Sequence, residues 1–212
     1  MHKKKGFTST VLALIFIISS TVLAGEEITK EYYRDGKLKA ECHYNEGKLE
    51  GVSRRYDEDG NLREEHYKNN VQEGLTRHYY GNTNEKKKRE IMFKNGKPNG
   101  PYKDYYENGV LMTDGFRSDG KYEGMCKTYD QEGRLRVEKS YKNGRQEGPA
   151  KLFYETGELE KELRFSRGKL DGPARFYYKS GKIKEDLVYS SGRVTERRCF
   201  TEEEKPRACP AQ

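Results

Sequence analysis

No tryptophan occurs anywhere in the 212 residues, and there are only six prolines, four cysteines and four histidines. Aliphatic side chains are scarce as well. Beyond residue 24, Leu, Ile, Val and Phe make up 26 of 188 residues, about 14%. Below roughly 20% a chain is suspected of disorder, and a conventional enzyme core of this length needs more apolar material. The chain is therefore either disordered or folded without a central core. Its 17 tyrosines and 22 glycines favour the second, because a repeated aromatic-and-turn unit produces that composition. A dominant charge sign is also missing. The formal charge of +7 falls to +4 without Lys3, Lys4 and Lys5, in a chain with 36% charged residues. That near balance excludes the basic bias of a dedicated nucleic-acid binder.

Long apolar runs are confined to the amino terminus. Lys3–Lys5 precede an unbroken apolar stretch, Val11–Ile18, and Val22 and Ala24 supply small residues before a cleavage point between Ala24 and Gly25. These are the three parts of a secretory signal. An uncleaved anchor fits less well, because Ser19, Ser20 and Thr21 break a run already short of the ~20 residues of a span. Residues 1–24 are thus expected to direct export, to the periplasm or outside the cell.

Three glycine columns recur, most often at 24-residue steps. The first is Gly36, Gly60, Gly109, Gly133, Gly157 and Gly181. The second is Gly47, Gly96, Gly120, Gly144, Gly168 and Gly192, and the third is Gly51, Gly74, Gly100, Gly124, Gly148 and Gly172. Asn84 and Asn70 fill two vacancies, and asparagine tolerates a left-handed backbone best after glycine. One aromatic column runs Tyr44, Tyr67, Phe93, Phe116, Tyr141, Phe165 and Tyr189, and another Tyr32, Tyr56, Tyr80, Tyr105, Tyr129, Phe153 and Tyr177. Leu38, Ala40, Cys42 and Tyr44 alternate with polar residues, the period of a half-buried strand. The expectation is an all-β fold of seven β-hairpin units over residues 32–196, making one elongated antiparallel sheet. Residues 25–31 are a lead-in and 197–212 a tail. The third unit, irregular over 80–93, is expected to carry a bulge or longer loop. Its basic run, Lys86–Arg89, is expected to be solvated, with contact to an anionic surface as the alternative.

Three stretches carry a resemblance: Phe93-Lys-Asn-Gly96-Lys-Pro-Asn-Gly100, Tyr141-Lys-Asn-Gly144-Arg-Gln-Glu-Gly148 and Phe165-Ser-Arg-Gly168-Lys-Leu-Asp-Gly172. They resemble the MORN repeat, most closely the bacterial variant called MORN_2, found in antitoxin-like proteins of the YwqK type. The resemblance covers about residues 32–196. It implies an elongated hairpin array used for interaction, with no family active site to carry over. It also implies links to membranes, protein partners or toxin neutralisation.

Catalytic constellations are missing. There is no Gly-x-Ser-x-Gly, phosphate loop or dinucleotide fingerprint, and no histidine in the last hundred residues to activate a cysteine. His43 and His66, one repeat apart, would lie about 10 Å from each other, too far to share a metal. An acidic column, Glu41, Glu65, Glu90, Asp114, Glu138, Glu162 and Asp186, is expected to face solvent in cross-strand charge pairs, with Lys37 and Lys39 beside Glu41 and Arg134 and Arg136 beside Glu138. A row of divalent-cation sites is the alternative, but no Asp-rich loop offers the six to eight oxygens that Ca²⁺ takes. Cys42 and Cys126 would sit roughly 30 Å apart and stay unbridged. Cys199 and Cys209 can close a loop that caps the last repeat.

The sequence therefore points to a non-enzymatic, exported scaffold without cofactor, metal or nucleic acid, whose partner is a protein or an envelope glycan. Binding to an anionic membrane surface, or to a toxin or envelope enzyme as an antitoxin-like inhibitor, are the alternatives.

Overall fold

The computed structural model describes residues 18–23 and 25–210. Residues 1–17 and Ala24, which hold most of the expected export signal and its cleavage point, lie outside the described residues. Every strand belongs to one antiparallel sheet, and strands that follow one another in sequence lie side by side. Among the described residues there is no helix. The fold is all-β, as its alternating pattern implies.

Among the described residues, seven complete tight turns lie along one long edge of the sheet. Each places two consecutive residues in the left-handed region, a non-glycine at φ 48–51° followed by a glycine, or Asn70, at φ 68–88°. That is a type I′ turn, whose twist matches its flanking strands. Looser turns such as Tyr33–Lys37 line the opposite edge. There Gly36 N donates to Tyr33 O at 3.0 Å and Tyr33 N donates to Lys37 O at 2.8 Å, and Gly36 sits at φ 84°. Asn70 is left-handed at φ 68°, but Asn84 is not; in its loop Gly81 takes that conformation at φ 77°. The longer loop of the third unit spans residues 80–86 and ends in the strand Lys87–Lys94.

The array extends at both ends beyond the expected units. The lead-in is a full strand, Glu26–Tyr32, paired with Leu38–Asn45 on one side and with Ile18–Leu23 on the other. At the other end, Thr201–Lys205 repeats the looser turn, with Glu204 at φ 64° where a glycine would be.

A single sheet has no second layer to bury against, so mostly small side chains vanish from solvent. Ala40, Ala150 and Ala174 are 1–2% exposed, and Ser53 and Thr76 are fully buried. Larger neighbours stand directly opposite: Ala150 faces Leu163, and Ala174 faces Leu187. Tyr102, 3% exposed, faces Ile91 on one neighbouring strand and Gly115, which offers no side chain, on the other. A Cβ at Gly115 would meet Tyr102 Cε1 at 2.5 Å. Gly115→Ala should therefore displace that ring and destabilise the sheet by about 1–3 kcal/mol, read as a lower urea midpoint. An unchanged midpoint would show that the ring is not confined there.

Candidate binding surface

Strand pairing lines up one row of charged residues from the strand Glu26–Tyr32 to the strand Arg193–Phe200. It runs Lys30, Glu41, Arg54, Glu64, Arg77, Glu90, Lys103, Asp114, Lys127, Glu138, Lys151, Glu162, Arg175, Asp186 and Arg198, each directly opposite the next. Cation and anion alternate without a break. Contacts close to 3.0 Å for Lys30–Glu41 and Arg54–Glu64, 3.3 Å for Lys127–Glu138 and 3.5 Å for Lys151–Glu162. Opposite charges facing each other across strands contribute roughly 0.2–1 kcal/mol per pair. The acids thus pair mainly with residues directly opposite on adjacent strands, and not with Lys37, Lys39, Arg134 or Arg136; Glu90 also takes Lys87 of its own strand at 3.2 Å.

The second unit shifts the expected acidic column by one residue. Elsewhere an extra residue is bulged just after the looser turn, as where Tyr32 faces Leu38 but Glu31 faces Ala40. Tyr56 faces Leu62 and Arg55 faces Arg63, with no residue skipped. Glu64 therefore enters the charged row, and Glu65 turns to the other face. There Glu65 is 6% exposed, held by Arg55 at 3.1 Å and Arg63 at 3.2 Å.

Hydroxyls secure the row and the edges. Tyr79, Tyr105 and Tyr177 donate to Glu64, Glu90 and Glu162 at 3.0, 2.7 and 2.7 Å. Burial and the bond to Glu64 push the Tyr79 hydroxyl up to about 12. Tyr79, not Tyr80, thus stands in the Tyr56–Tyr105 column. Tyr80 belongs to a second set at the looser turns. In it Tyr33, Tyr80, Tyr106, Tyr154 and Tyr178 donate to the backbone carbonyls of Tyr56, Tyr105, Tyr129, Tyr177 and Phe200, at 2.6–3.0 Å. At the tight-turn edge, Glu50, Glu73, Glu123 and Glu147 accept backbone N–H from the next turn at 2.7–2.8 Å, and Asp171 at 3.2 Å. Sequence reasoning missed both sets, although an acid before every third-column glycine except Gly100, which follows Asn99, was a visible signal.

Tyr44, Tyr67, Phe93, Tyr141, Phe165 and Tyr189 each stand three residues after a row acid, on the face opposite the charges. Phe116 is only two residues after Asp114. It therefore lies on the charged face, opposite Pro101, and is 44% exposed. Arg117 takes its column position, with its guanidinium 4.2 Å from the Tyr122 ring centre and 5.0 Å from that of Tyr102. Tyr122 in turn packs on Tyr141, with ring centres 5.2 Å apart. Phe116 and Met125, which is 45% exposed, line a shallow hollow of about 280 Å³ together with Asp114, Gly115 and Lys127. A larger groove of about 420 Å³ lies over Arg55, Arg63 and His78. There burial, with Arg63 and Arg89 nearby, holds the His78 imidazole below its usual value.

The basic run is largely neutralised by its neighbours. Lys87 reaches Glu90 at 3.2 Å, Lys86 reaches Glu107 at 3.9 Å, Arg89 pairs with Asp104, and Lys88 sits 5.3 Å from the Tyr80 ring centre. Cys42 and Cys126 are free thiols, and burial pushes the Cys42 thiol up. Cys199 and Cys209 are bonded. The tail pairs with the sheet only at Cys199 and Phe200, so its cap on the last strand is partial. Among the described residues no cluster of three or more His, Cys, Asp or Glu could hold a metal ion.

A family profile described as a MORN repeat variant matches residues 28–46, 49–69, 98–116, 122–143, 146–166 and 170–190, more than half of the chain. No match falls in 70–97, where the irregular loop lies. Among curated proteins, none matches the chain.

Two outcomes follow for the charged row. Glu138→Lys places like charges on three successive strands and should cost about 1 kcal/mol at low salt, less at 1 M salt. A loss independent of salt would point to packing instead. The Lys30 ammonium holds the Glu41 carboxyl below its ordinary 4.5. At Glu90, burial alone would raise the carboxyl, but Tyr105 and Lys87 outweigh it and the value again lies below 4.5. A depressed native value stabilises the fold fully above 4.5 and fades as pH falls through the lower native values. Urea midpoints should therefore drop from pH 5 toward pH 2, and a flat profile would remove the row from the stability argument.

Proposed function

The chain belongs to the MORN repeat variant family, and from that premise we propose that it is an exported, non-enzymatic scaffold binding another protein or an envelope glycan. One observation favours a protein partner. Most polar side chains of the charged face are paired within the sheet, yet Phe116 and Met125 remain 44% and 45% exposed beside each other. Exposed apolar groups rimmed by charges suit a protein interface. Nearby Asp114 and Lys127 would give such a contact its register. The internally compensated Lys86–Arg89 run offers little free charge to an anionic membrane, which weakens that alternative.

The reading is tested by cross-linking purified residues 25–212 to intact envelope and identifying what is captured by mass spectrometry. One dominant protein is expected, and Phe116→Ala with Met125→Ala should lower its affinity about tenfold with an unchanged melting curve. Pelleting with lipid or wall material, with no captured protein, would overturn the proposal in favour of surface binding.

A further inference from the structure

The charged row stops one member short. Each inner cation, such as Arg175 between Glu162 and Asp186, has an acid on both neighbouring strands. Arg198 has only Asp186, and its side chain is 68% exposed against 50% for Arg175. On the outer side of the last full strand, Arg193–Phe200, the returning tail pairs with Cys199 and Phe200 alone. Beyond Arg207 the bond from Cys209 to Cys199, with Pro210 O accepting from Arg197 Nη1 at 3.0 Å, holds the end of the chain over the face that Cys199 and Arg197 share, opposite to that of Arg198. Among the described residues, Arg193–Arg198 therefore presents an unpaired edge.

We infer that this edge takes up an extended, acidic segment of a partner protein as an additional antiparallel strand, with a carboxylate opposite Arg198. Strand addition suits any exposed sheet edge, and the charge pattern selects the occupant. A second copy of this chain fits poorly. In the exported chain of the proposed function, which lacks residues 1–24 and so the strand Ile18–Leu23, the opposite edge carries Lys30 in the same row, and self-pairing of the Arg193–Arg198 edge would bring Arg193, Arg197 and Arg198 together. Like charges directly opposite are destabilising. A further hairpin of the repeat kind also lacks its seat. In the inner units an acid followed by a left-handed glycine receives the next tight turn, whereas here those positions are Thr195 and Glu196. What remains is a plain strand bearing acid. This inference is independent of the Phe116 face.

The test uses the exported chain with its disulfide intact, labelled for amide NMR. The probes are a six-residue peptide of valine and threonine around one glutamate, and its lysine twin. The glutamate peptide should shift and protect amides within Arg193–Arg198 and bind roughly fivefold more tightly than its twin. Arg198→Gln should bring that ratio close to one while the remaining spectrum stays in place. Equal binding of both peptides, changes confined to the surface around Phe116, or no change at millimolar peptide would each overturn the inference. If the edge stays silent while the Phe116 and Met125 variants still lose their captured partner, only the edge assignment falls.

Discussion

A sheet with no layer packed on either face can be held together only sideways, from strand to strand. That constraint governs the composition and the geometry alike. Aliphatic residues are few because there is no interior for them, and the residues that vanish most completely from solvent, Ala40, Ala150, Ala174, Ser53 and Thr76, are small. Stability therefore rests on contacts within the plane of the sheet: backbone ladders, facing charges and hydroxyl bonds. Individually each is modest. Repeated along most of the array, they form three parallel seams, one down the middle of the sheet and one along each edge.

The middle seam accounts for an oddity of composition. More than a third of the residues are charged, yet down the middle of the sheet that charge is almost self-compensating. The alternating row places each inner charge between two of opposite sign. In such an arrangement the field largely cancels beyond a Debye length of ~10 Å. What the surface offers a partner is then shape and the few apolar groups left outside the pairing, rather than bulk charge.

The hairpins, their tight turns and the 24-residue period were legible in the sequence because glycine, or Asn70, fills the second left-handed position of each tight turn. Faces were harder to read. A bulge adds one residue and reverses which side every later side chain occupies, and counting by a fixed period cannot see it. The second unit lacks the bulge that other units carry, so Glu64 rather than Glu65 belongs with the row. Phe116 misleads for a different reason: a 24-residue step from Phe93 lands on Arg117, three residues after Asp114, and the aromatic beside it masks that position. The tyrosines that tie one turn to the next were hidden for another reason. Tyr32 and Tyr33, or Tyr105 and Tyr106, are adjacent, and composition alone does not say which hydroxyl reaches a carbonyl.

Alternation of sign along the middle seam has a consequence for how such an array can lengthen or shorten. A complete hairpin contributes one cation and one anion, so adding or removing a whole hairpin leaves every junction between opposite charges. A single added strand would set two like charges side by side at the join. Length in this molecule is thus counted in pairs, and the row acts as a parity check that duplication of entire units passes and any odd insertion fails.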